Sequence, residues 1–355
     1  MKFAVGMVLL DAPHSALNMA GLEVGTERNK VVVKKFRRGR YEYPYVSAQA
    51  WRYWWRGTLE ELFRWKLSEL VKIEGKNQVY TAANPIKYED DDVFGYMRAL
   101  SGGQTVTRIS PLKTTPLISI LPARNSVSSN TDSFSRHEGD PVLYEQQFYS
   151  TVLKGAFSLD LDSIGRFSLA DRAGYRNIIK PEAKGKKSKD LQDEYSKMLE
   201  SAKLAGATIG EREWTLPSDI RRKRAQETIM ALKYIYGGAK QTLFLTDVTP
   251  KFVIFAIFEG GINPFISDIV REDRGEVKLD VETLASRIKQ YKEILNPKKI
   301  IVGKDIGFFS EWNEELKNLE KKINDKGEEV QIVVGNVVNS IDAFAKEVGA
   351  YYEGS

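Results

Sequence analysis

Residues 28–65 read RNKVVVKKFRRGRYEYPYVSAQAWRYWWRGTLEELFRW, a basic arm followed by a helical pattern. Pro44 prevents an earlier helix start, and Ser47 can accept a hydrogen bond from a free first-turn amide, so we predict a helix over 47–71. Its residues with helical spacing are predicted to form a core stripe: Trp51, Trp55, Leu59 and Leu62. The arm carries basic side chains with no acidic one among them: Arg28, Lys30, Lys34, Lys35, Arg37, Arg38 and Arg40.

The start of this predicted helix has the character of an anion site. A helix N-terminus presents unpaired amides and a positive partial charge, which favour phosphate. Arg52 and Arg56 are spaced i and i+4 and are expected to project together from a neighbouring face. Basic runs are usually solvated faces, but like charges repel, so this arm favours a polyanion partner. We therefore predict that the arm, the helix start and the two arginines hold the backbone of a nucleic acid.

Composition limits the possible classes of protein. The 355 residues are 42% apolar and 28% charged with a net charge of +5, which is typical of a soluble globular protein of one elaborate domain or two modest ones. The absence of cysteine excludes disulfides, thiolate metal sites and a cysteine nucleophile. With only His14 and His137, a histidine-rich metal cage is excluded as well. The apolar run over 2–10 indicates a buried central strand rather than a signal peptide, so a cytoplasmic location is expected.

The rest of the chain predicts a mixed α/β or α+β fold with helices packed on a sheet. An extended edge is expected over 31–36, and an irregular excursion over about 75–165 is predicted to be functional or mobile. A lysine-rich helical insertion is expected over about 175–215. A helix opening at Pro217 should turn Tyr236 inward and end at Gly237-Gly238, followed by a hairpin of strands over 239–246 and 251–261. Helices and strands then alternate up to a last helix capped by Ser340.

Catalytic motifs are weak in this sequence. A serine elbow, a phosphate-binding loop of the Walker type and a dinucleotide fingerprint are all missing. Two acidic clusters could hold a divalent metal, and the two histidines could act as general bases in RNA cleavage, but such groups are more often helix starts or solvated side chains. The residues concerned are Asp90, Asp91, Asp92, Asp160, Asp162, His14 and His137. We predict a protein that is not an enzyme and needs no cofactor or metal, with a metal- or histidine-dependent ribonuclease as the alternative.

Further residues fit contact with a single strand. Lysine and arginine contacts to phosphate supply affinity without reading sequence, and aromatic rings can stack on splayed bases. The candidates for polar contacts are Arg108, Lys113, Arg136, His137, Lys240 and Gln241, and the candidates for stacking are Tyr41, Tyr43 and Phe134.

Several segments together resemble a known family. The helix start SAQAWRYWWR (47–56), the loop ALNMAG (16–21) and the segment GGAKQTLF (237–244) resemble the RNA-binding backbone subunit of type I CRISPR surveillance complexes (Cascade), in its DevR-type autoregulator branch. The likeness continues through KFAVGMVLL (2–10), VVVKKFRRGR (31–40), RISPLKTTPLISI (108–120) and FSLDLDSIGRF (157–167), so it spans nearly the whole chain.

The resemblance implies a modified RNA-recognition (RRM-like, ferredoxin-like β-α-β-β-α-β) palm with inserted finger and thumb elements. Residues 1–355 would form one domain from discontinuous parts, with an irregular finger and thumb insertion over about 75–165, in which the excursion over about 100–145 is the candidate for the thumb and finger elements. By position, Ser47, Gln49 and Arg52 match the helix start that grips guide phosphates, and the basic arm around Lys34 to Arg40 would lie beside it. Asn18 lies in the matching loop ALNMAG.

The resemblance also implies partners for antiviral defence. They are the CRISPR RNA, target DNA through guide pairing, further copies in a helical filament, other Cascade subunits and the recruited helicase-nuclease. The usual aromatic signature of RNA-recognition domains is absent here. Related subunits cut RNA with a thumb aspartate, to which Asp132 or Asp140 could correspond, but the type I resemblance implies binding without cleavage. A DNA-binding regulator is suggested only by the branch name, and no helix-turn-helix signal supports it.

Overall fold

The computed structural model describes residues 1–23, 30–72, 78–100, 104–179, 188–324 and 329–353, so Arg28 lies outside the described residues. The helices are α1 (Ala48–Phe63), α2 (Glu89–Phe94), α3 (Ala123–Ser126), α4 (Ser188–Leu204), α5 (Ser218–Met230), α6 (Gln241–Phe244), α7 (Val281–Tyr291), α8 (Trp312–Asn324) and α9 (Val337–Ala350).

The strands up to the middle of the chain are β1 (Lys2–Ser15), β2 (Met19–Leu22), β3 (Lys30–Val33), β4 (Lys35–Arg38), β5 (Tyr41–Val46), β6 (Leu70–Lys72), β7 (Val79–Thr81), β8 (Tyr96–Ala99), β9 (Thr105–Arg108), β10 (Leu112–Thr114), β11 (Leu117–Ser119), β12 (Val127–Phe134), β13 (Val142–Asp160) and β14 (Arg166–Ser168). They are followed by β15 (Thr208–Ile209), β16 (Glu213–Thr215), β17 (Phe252–Glu259), β18 (Val270–Asp273), β19 (Glu276–Leu279), β20 (Leu295–Lys304) and β21 (Gln331–Gly335).

One large mixed sheet organises the protein. Among the described residues its strands run in the order β21-β20-β17-β1-β13-β11-β5-β4, with β10, β12 and β3 also pairing with β13. The pairs of β1 with β13 and with β17 are antiparallel, and β20 pairs with β21 in parallel. The expected central strand is thus confirmed, and it continues to Ser15. Its nearly unbroken apolar sequence fits a strand that is covered on both faces.

Helices pack on both faces of this sheet. On one face α1, α5 and α9 form a core in which Trp55 meets Phe157 with ring centroids 5.5 Å apart and Phe255 stacks on Phe344 at 4.6 Å. A Cβ at Gly6 would lie 2.4 Å from Phe157 Cε1, so only glycine leaves room for these rings. On the other face α7, α8 and residues 265–279 cover β1, β17 and β20. The structure is therefore a mixed α+β fold.

The helix that starts at Ser47 is confirmed, but it is shorter than predicted. It ends at Phe63 because Arg64 adopts the left-handed conformation (φ 60°) and donates its N–H to Leu59 O. The stripe of Trp51, Trp55 and Leu59 is buried as expected, whereas Leu62 is 54% exposed, so its assignment to the core is wrong.

The prediction of a strand over 239–246 is wrong. Residues 241–244 form the short helix α6, bounded by left-handed backbone at Lys240 and Leu245, so no hairpin joins them to β17. Tyr236 is exposed rather than turned inward. The last helix is capped by Asn336, and Ser340 lies inside it with its hydroxyl donating to Val302 O at 3.2 Å.

The excursion over about 75–165 contains more order than its sequence indicates. It includes α2, α3, several short strands and the 19-residue strand β13, which pairs with β12 as an antiparallel hairpin from Val127↔Tyr149 to Phe134↔Val142. The lysine-rich insertion is helical over α4, while residues 180–187 lie outside the described residues. One side of α4 packs against Trp214 through Tyr195, Met198 and Leu199, so this helix is not simply an exposed addition.

None of the helices in the described ranges is both long enough and apolar enough to cross a membrane.

Candidate nucleic-acid interface

Asn18 joins three segments that the sequence keeps apart. Its main-chain oxygen accepts the N–H of Lys34 at 2.9 Å, at the junction of β3 and β4. Its side-chain Oδ1 accepts the N–H of Ser47 at 3.1 Å. The loop before β2 therefore holds both the basic arm and the start of α1, which brings Asn18, Lys34 and Ser47 together as a single cluster.

Ser47 caps α1 in the way that the sequence predicts. Its backbone is extended (φ −62°, ψ 150°), and its hydroxyl accepts the N–H of Ala50 at 3.2 Å. The first turn contains no acidic residue, and Gln49 is exposed beside it. Since α1 has sixteen residues, its N-terminus carries the full positive partial charge of a helix end. This end of α1 is chemically suited to an anion.

The glycine pair brings a third segment to the same place. Ala239 donates its N–H to Leu17 O at 2.9 Å. Gly238 (φ +106°) approaches Leu17 so closely that a Cβ would lie 2.5 Å from Leu17 Cδ2. Lys240 follows directly in left-handed backbone, and the Gln241 amide donates to Gly237 O and, at 3.2 Å, to Thr246 O. Lys240 therefore emerges next to the Asn18 loop, while Gln241 serves mainly to fix the turn.

The basic arm is only partly neutralised. Lys30 pairs with Glu23 at 3.1 Å and Lys35 with Glu42 at 3.3 Å. Within the described residues no carboxylate lies at ion-pair distance from five other cations near the cluster: Lys34, Arg37, Arg38, Arg40 and Lys240. Arg37 donates to Gly39 O at 3.1 Å, Arg38 and Arg40 are exposed, and Lys34 and Lys240 are half-buried. We call the group formed by Asn18, Lys34, Ser47, Gln49 and Lys240 the helix-start cluster.

Arg52 and Arg56 project together over the Phe94 ring, as their spacing predicts, but they do not belong to the helix-start cluster. The guanidinium of Arg52 donates to Phe94 O at 2.8 Å, to Ser110 Oγ at 3.0 Å and to Leu112 O. Burial, followed by the charge of Arg56, lowers the pKa of Arg52 to about 10. Arg56 pairs with Asp90 at 3.5 Å and lies over the Phe94 ring. Both arginines are engaged with the protein's own groups, so their role is structural.

Arg108 is likewise buried rather than available to a strand. Its guanidinium donates to Asp92, to Arg166 O at 2.8 Å and to Ser163 O at 2.7 Å. Arg224 donates to the other oxygen of Asp92 at 2.6 Å. Asp92 thus joins β9 and α5, and all three charged groups are paired inside the protein.

The acidic candidates have structural partners as well. Asp90 and Asp91 accept hydrogen bonds from Ser68, and Asp160 accepts from Ser163. Asp162 accepts the N–H of Lys2 at 2.7 Å. Across the parts of the chain that the structure describes, no group of three or more metal-ligating side chains has the arrangement of a metal site.

The other predicted contacts are distributed over the molecule. Lys113 is exposed on β10 opposite Ser158, and its ammonium lies over the Phe3 ring at 5.7 Å. Arg136 and His137 lie at the exposed tip of the β12–β13 hairpin, where the His137 ring stacks on Phe134 and its Nε2 is 3.0 Å from Asp140 O. His14 stacks on Phe148. Among the described residues, no hydrogen bond or ion pair joins these side chains to the helix-start cluster.

Sequence reasoning missed Arg124. Its Cζ lies 4.3 Å from the centre of the Tyr41 ring, over which Arg40 also lies at 5.0 Å. Eighty-three positions separate Arg124 from Tyr41, and no local pattern marks the contact.

A family model described as "CRISPR-associated negative auto-regulator DevR/Csa2" matches residues 12–278. A solved chain titled "CRISPR RNA-guided surveillance complex, pre-nicking" is 12% identical, with a TM-score of 0.49 and coverage of 98% of this chain and 100% of that one. Another, titled "CRISPR RNA-guided surveillance complex", is 11% identical, with a TM-score of 0.42 and coverage of 97% and 99%. No curated protein matches the sequence.

Proposed function

The chain belongs to the CRISPR-associated DevR/Csa2 family, whose model matches most of its length, and from this membership we propose that it is a noncatalytic backbone subunit of a type I CRISPR surveillance complex. In this role many copies bind along one CRISPR RNA and hold it for pairing with target DNA. The protein reads phosphate and RNA shape, and base pairing reads the sequence, as in other guided systems. Its partners are the guide, further copies, the other Cascade subunits and a recruited helicase-nuclease.

The observation that carries this proposal is the helix-start cluster. Lys34 and Lys240 have no ion-pair partner among the described residues, and their segments are bonded to the Asn18 loop, which also holds the start of α1. A ribose-phosphate strand supplies the anions that this arrangement favours, and contacts to phosphate give affinity independent of sequence. Arg37, which faces the opposite side of β4 from Arg38, extends the positive surface along the β4–β5 hairpin.

The strand order supports the RRM-like part of the proposal. Taken in chain order, β1, α1, β11, β13, α5 and β17 form a β-α-β-β-α-β series whose strands lie side by side as β17-β1-β13-β11, all in antiparallel pairs. The two helices pack on the same face. We propose a single domain over residues 1–355, with the finger and thumb inserted over about 75–165 and the lysine-rich insertion over about 175–215. The β12–β13 hairpin is the proposed thumb, because it extends from the sheet and has an exposed tip.

Co-expression with a CRISPR array tests the assembly. We expect the purified protein to carry CRISPR RNA and to form regular helical particles under the electron microscope. A protein that purifies free of RNA, and stays a monomer when guide RNA is added, contradicts the backbone role.

A separate assay discriminates binding from cleavage. Labelled RNA is incubated with the protein and magnesium, and again with EDTA. We expect intact RNA in both samples. Cleavage that EDTA abolishes, or that disappears in the His14→Ala or His137→Ala protein, would support the ribonuclease instead.

A further inference from the structure

A second site lies on the sheet face that α1 does not cover. Side chains alternate along a strand, so Val46 and Leu117 face the core beneath α1 while Tyr45 and Ile118 face the opposite way. Over β1, β17 and β20 this opposite face is covered by α7 and α8. Over β11, β5 and β4 it opens into a cleft of about 530 Å³, which we call the hairpin cleft. Residues 266–272 form its outer wall.

One wall of the hairpin cleft is aromatic. Phe36 on β4 and Tyr43 on β5 are cross-strand partners, and their rings stack with centroids 5.8 Å apart and planes at 26°. Tyr45 meets the edge of Phe36 at 5.8 Å. All three rings are half-buried, so part of each remains accessible. Such a partly open aromatic surface is suited to stacking with a planar ligand.

Two cations face one another at this wall. Arg38 follows Phe36 by two residues on β4 and therefore lies on the same face. Lys154 comes from the floor on β13 and donates to Val270 O at 2.9 Å. Burial lowers the pKa of Lys154, and the positive charge of Arg38 also lowers it. The negative charge of Asp268 acts in the opposite direction and raises the pKa of Lys154. Because Arg38 has no ion-pair partner in the described residues, an anion beside it would relieve this repulsion.

The mouth of the cleft is more positive than its interior. Arg38 lines the cleft, and its cross-strand partner Tyr41 lies in a neighbouring cavity, where Arg40 and Arg124 both lie over the Tyr41 ring. Inside, Lys154 is offset by Asp268, Arg271 is paired with Asp280 at 3.3 Å, and Glu272 adds a further negative charge to the lining. A ligand that fits this distribution has a neutral planar part inside and an anionic part at the mouth.

We propose that the hairpin cleft binds one unpaired nucleotide of a single-stranded nucleic acid. Its base stacks on Phe36 and Tyr43, and its phosphate lies between Arg38 and the arginines over Tyr41. The volume is within the range of about 300 to 1,000 Å³ that small-ligand sites occupy. This site goes beyond the proposed function, because the helix-start cluster lies at the end of α1 on the other face of the sheet. A strand reaches both only by passing around the edge strand β4.

Photo-crosslinking tests the proposal directly. Oligo(U) RNA and oligo(dT) DNA containing 5-iodouracil are each bound to the full-length protein, irradiated and mapped by mass spectrometry. We expect crosslinks at Phe36 or Tyr43. Crosslinks with only one oligonucleotide identify the bound strand as RNA or as DNA. Crosslinks with both show that the cleft accepts a nucleotide of either kind. The absence of crosslinks at both residues with both oligonucleotides overturns the proposal.

Two variants measure how much the Phe36 ring and the Arg38 charge contribute to oligonucleotide binding. Phe36→Leu keeps an apolar side chain but removes the stacking ring, and Arg38→Glu reverses a charge at an exposed position. We expect each to weaken oligonucleotide binding about tenfold, the effect of losing one stacked base or a phosphate contact. The matched controls are Tyr53→Leu, an exposed ring on α1, and Arg212→Glu, an exposed arginine far along the chain. Equal affinities of F36L, R38E and their controls would overturn the assignment.

The tests of the hairpin cleft can be distinguished from a test of the helix-start cluster. In the Lys34→Gln/Lys240→Gln protein, binding weakens if the proposed function is correct, yet crosslinks at Phe36 or Tyr43 should persist at higher protein concentration. If F36L and R38E change only self-association, measured by light scattering, the cleft holds a segment of a second copy and the nucleotide proposal fails.

Discussion

Asn18 accepts the N–H of Ser47 with its side chain while its main-chain oxygen accepts the N–H of Lys34. One residue thus holds the start of α1 and the basic arm in a fixed relation. The glycine pair adds Lys240 through the bond from Ala239 to Leu17. An anion site assembled in this way depends on short polar contacts as much as on charge.

Two substitutions at Asn18 separate the contribution of its hydrogen bond to stability from the contribution of charge to RNA binding. Asn18→Ala removes the acceptor for the Ser47 N–H, and we expect the free energy of unfolding to fall by about 1 kcal/mol. Asn18→Asp keeps the acceptor and places a negative charge at the helix N-terminus, so stability should stay close to wild type. RNA affinity should nevertheless fall about tenfold, because the new charge repels phosphate. Denaturant unfolding and filter binding check this, and unchanged affinity of N18D would mean that phosphate does not lie there.

Gly238 is predicted to be intolerant of any side chain. Gly238→Ala puts a Cβ 2.5 Å from Leu17 Cδ2 in a backbone with φ +106°. We expect a loss of roughly 2 to 4 kcal/mol from strain and clash together. Gly21→Ala is the matched control, because Gly21 also has positive φ (+93°) but nothing lies within 4 Å of its Cβ. The difference in stability loss between the two variants, measured by thermal unfolding, gives the cost of the clash with Leu17. Equal losses of stability would show that Leu17 does not limit the side chain at position 238.

Arg52 is predicted to be structural. Arg52→Ala leaves the carbonyl of Phe94 without this donor and leaves Leu112 O with only the Ser110 hydroxyl, and we expect a loss of about 2 to 3 kcal/mol in the free energy of unfolding. Lys35→Ala, which breaks only the surface pair with Glu42, should cost less than about 1 kcal/mol. The salt dependence of RNA binding by folded R52A should match wild type. A shallower salt dependence of RNA binding in R52A would mean that Arg52 contacts phosphate.

Asp90 should make stability depend on pH. Burial, with the neighbouring Asp91 charge, raises the pKa of Asp90 to about 6 from 3.8. The folded state then binds a proton more tightly than the unfolded state, so this group's contribution to stability is present at low pH and is lost as pH rises through about 6. Asp90→Asn should reduce that decline by at most about 3 kcal/mol.

Denaturant unfolding at pH values between about 4 and 7 measures this decline. The exposed Asp140→Asn change is the control. If D90N and wild type lose stability in parallel, Asp90 does not titrate in this window.

The sequence predicted helices and strands correctly where a capping residue or an apolar run determines them. Ser47 caps α1 as its sequence indicates, and the apolar run of β1 lies in the interior of the sheet. The end of α1 was not predictable, because Trp65 continues the apolar pattern while Arg64 already has left-handed backbone. Residues 241–244 look like a strand by composition, but positive φ at Lys240 and Leu245 makes them a single turn of helix.

The candidate site was predicted in part for the same reason. Lys34, Ser47 and Lys240 were identified from charge, capping and a glycine pair, but the role of Asn18 as their common partner is visible only in three dimensions. Arg52 has the helical spacing of a surface residue, and its acceptors lie 42 to 60 positions away. Periodicity locates a side chain on a helix face but does not say what covers that face.

The salt dependence of RNA binding by the Lys34→Gln/Lys240→Gln protein tests the helix-start cluster most directly. Fluorescence anisotropy with a labelled CRISPR guide gives the dissociation constant over a range of salt concentrations, and Lys317→Gln/Lys321→Gln on the exposed face of α8 is the control. We predict steeply salt-dependent binding by wild type and control, and a log–log slope shallower by about 1 to 2 in the double variant, as expected for two lost phosphate contacts. Equal slopes in all three proteins would contradict the site.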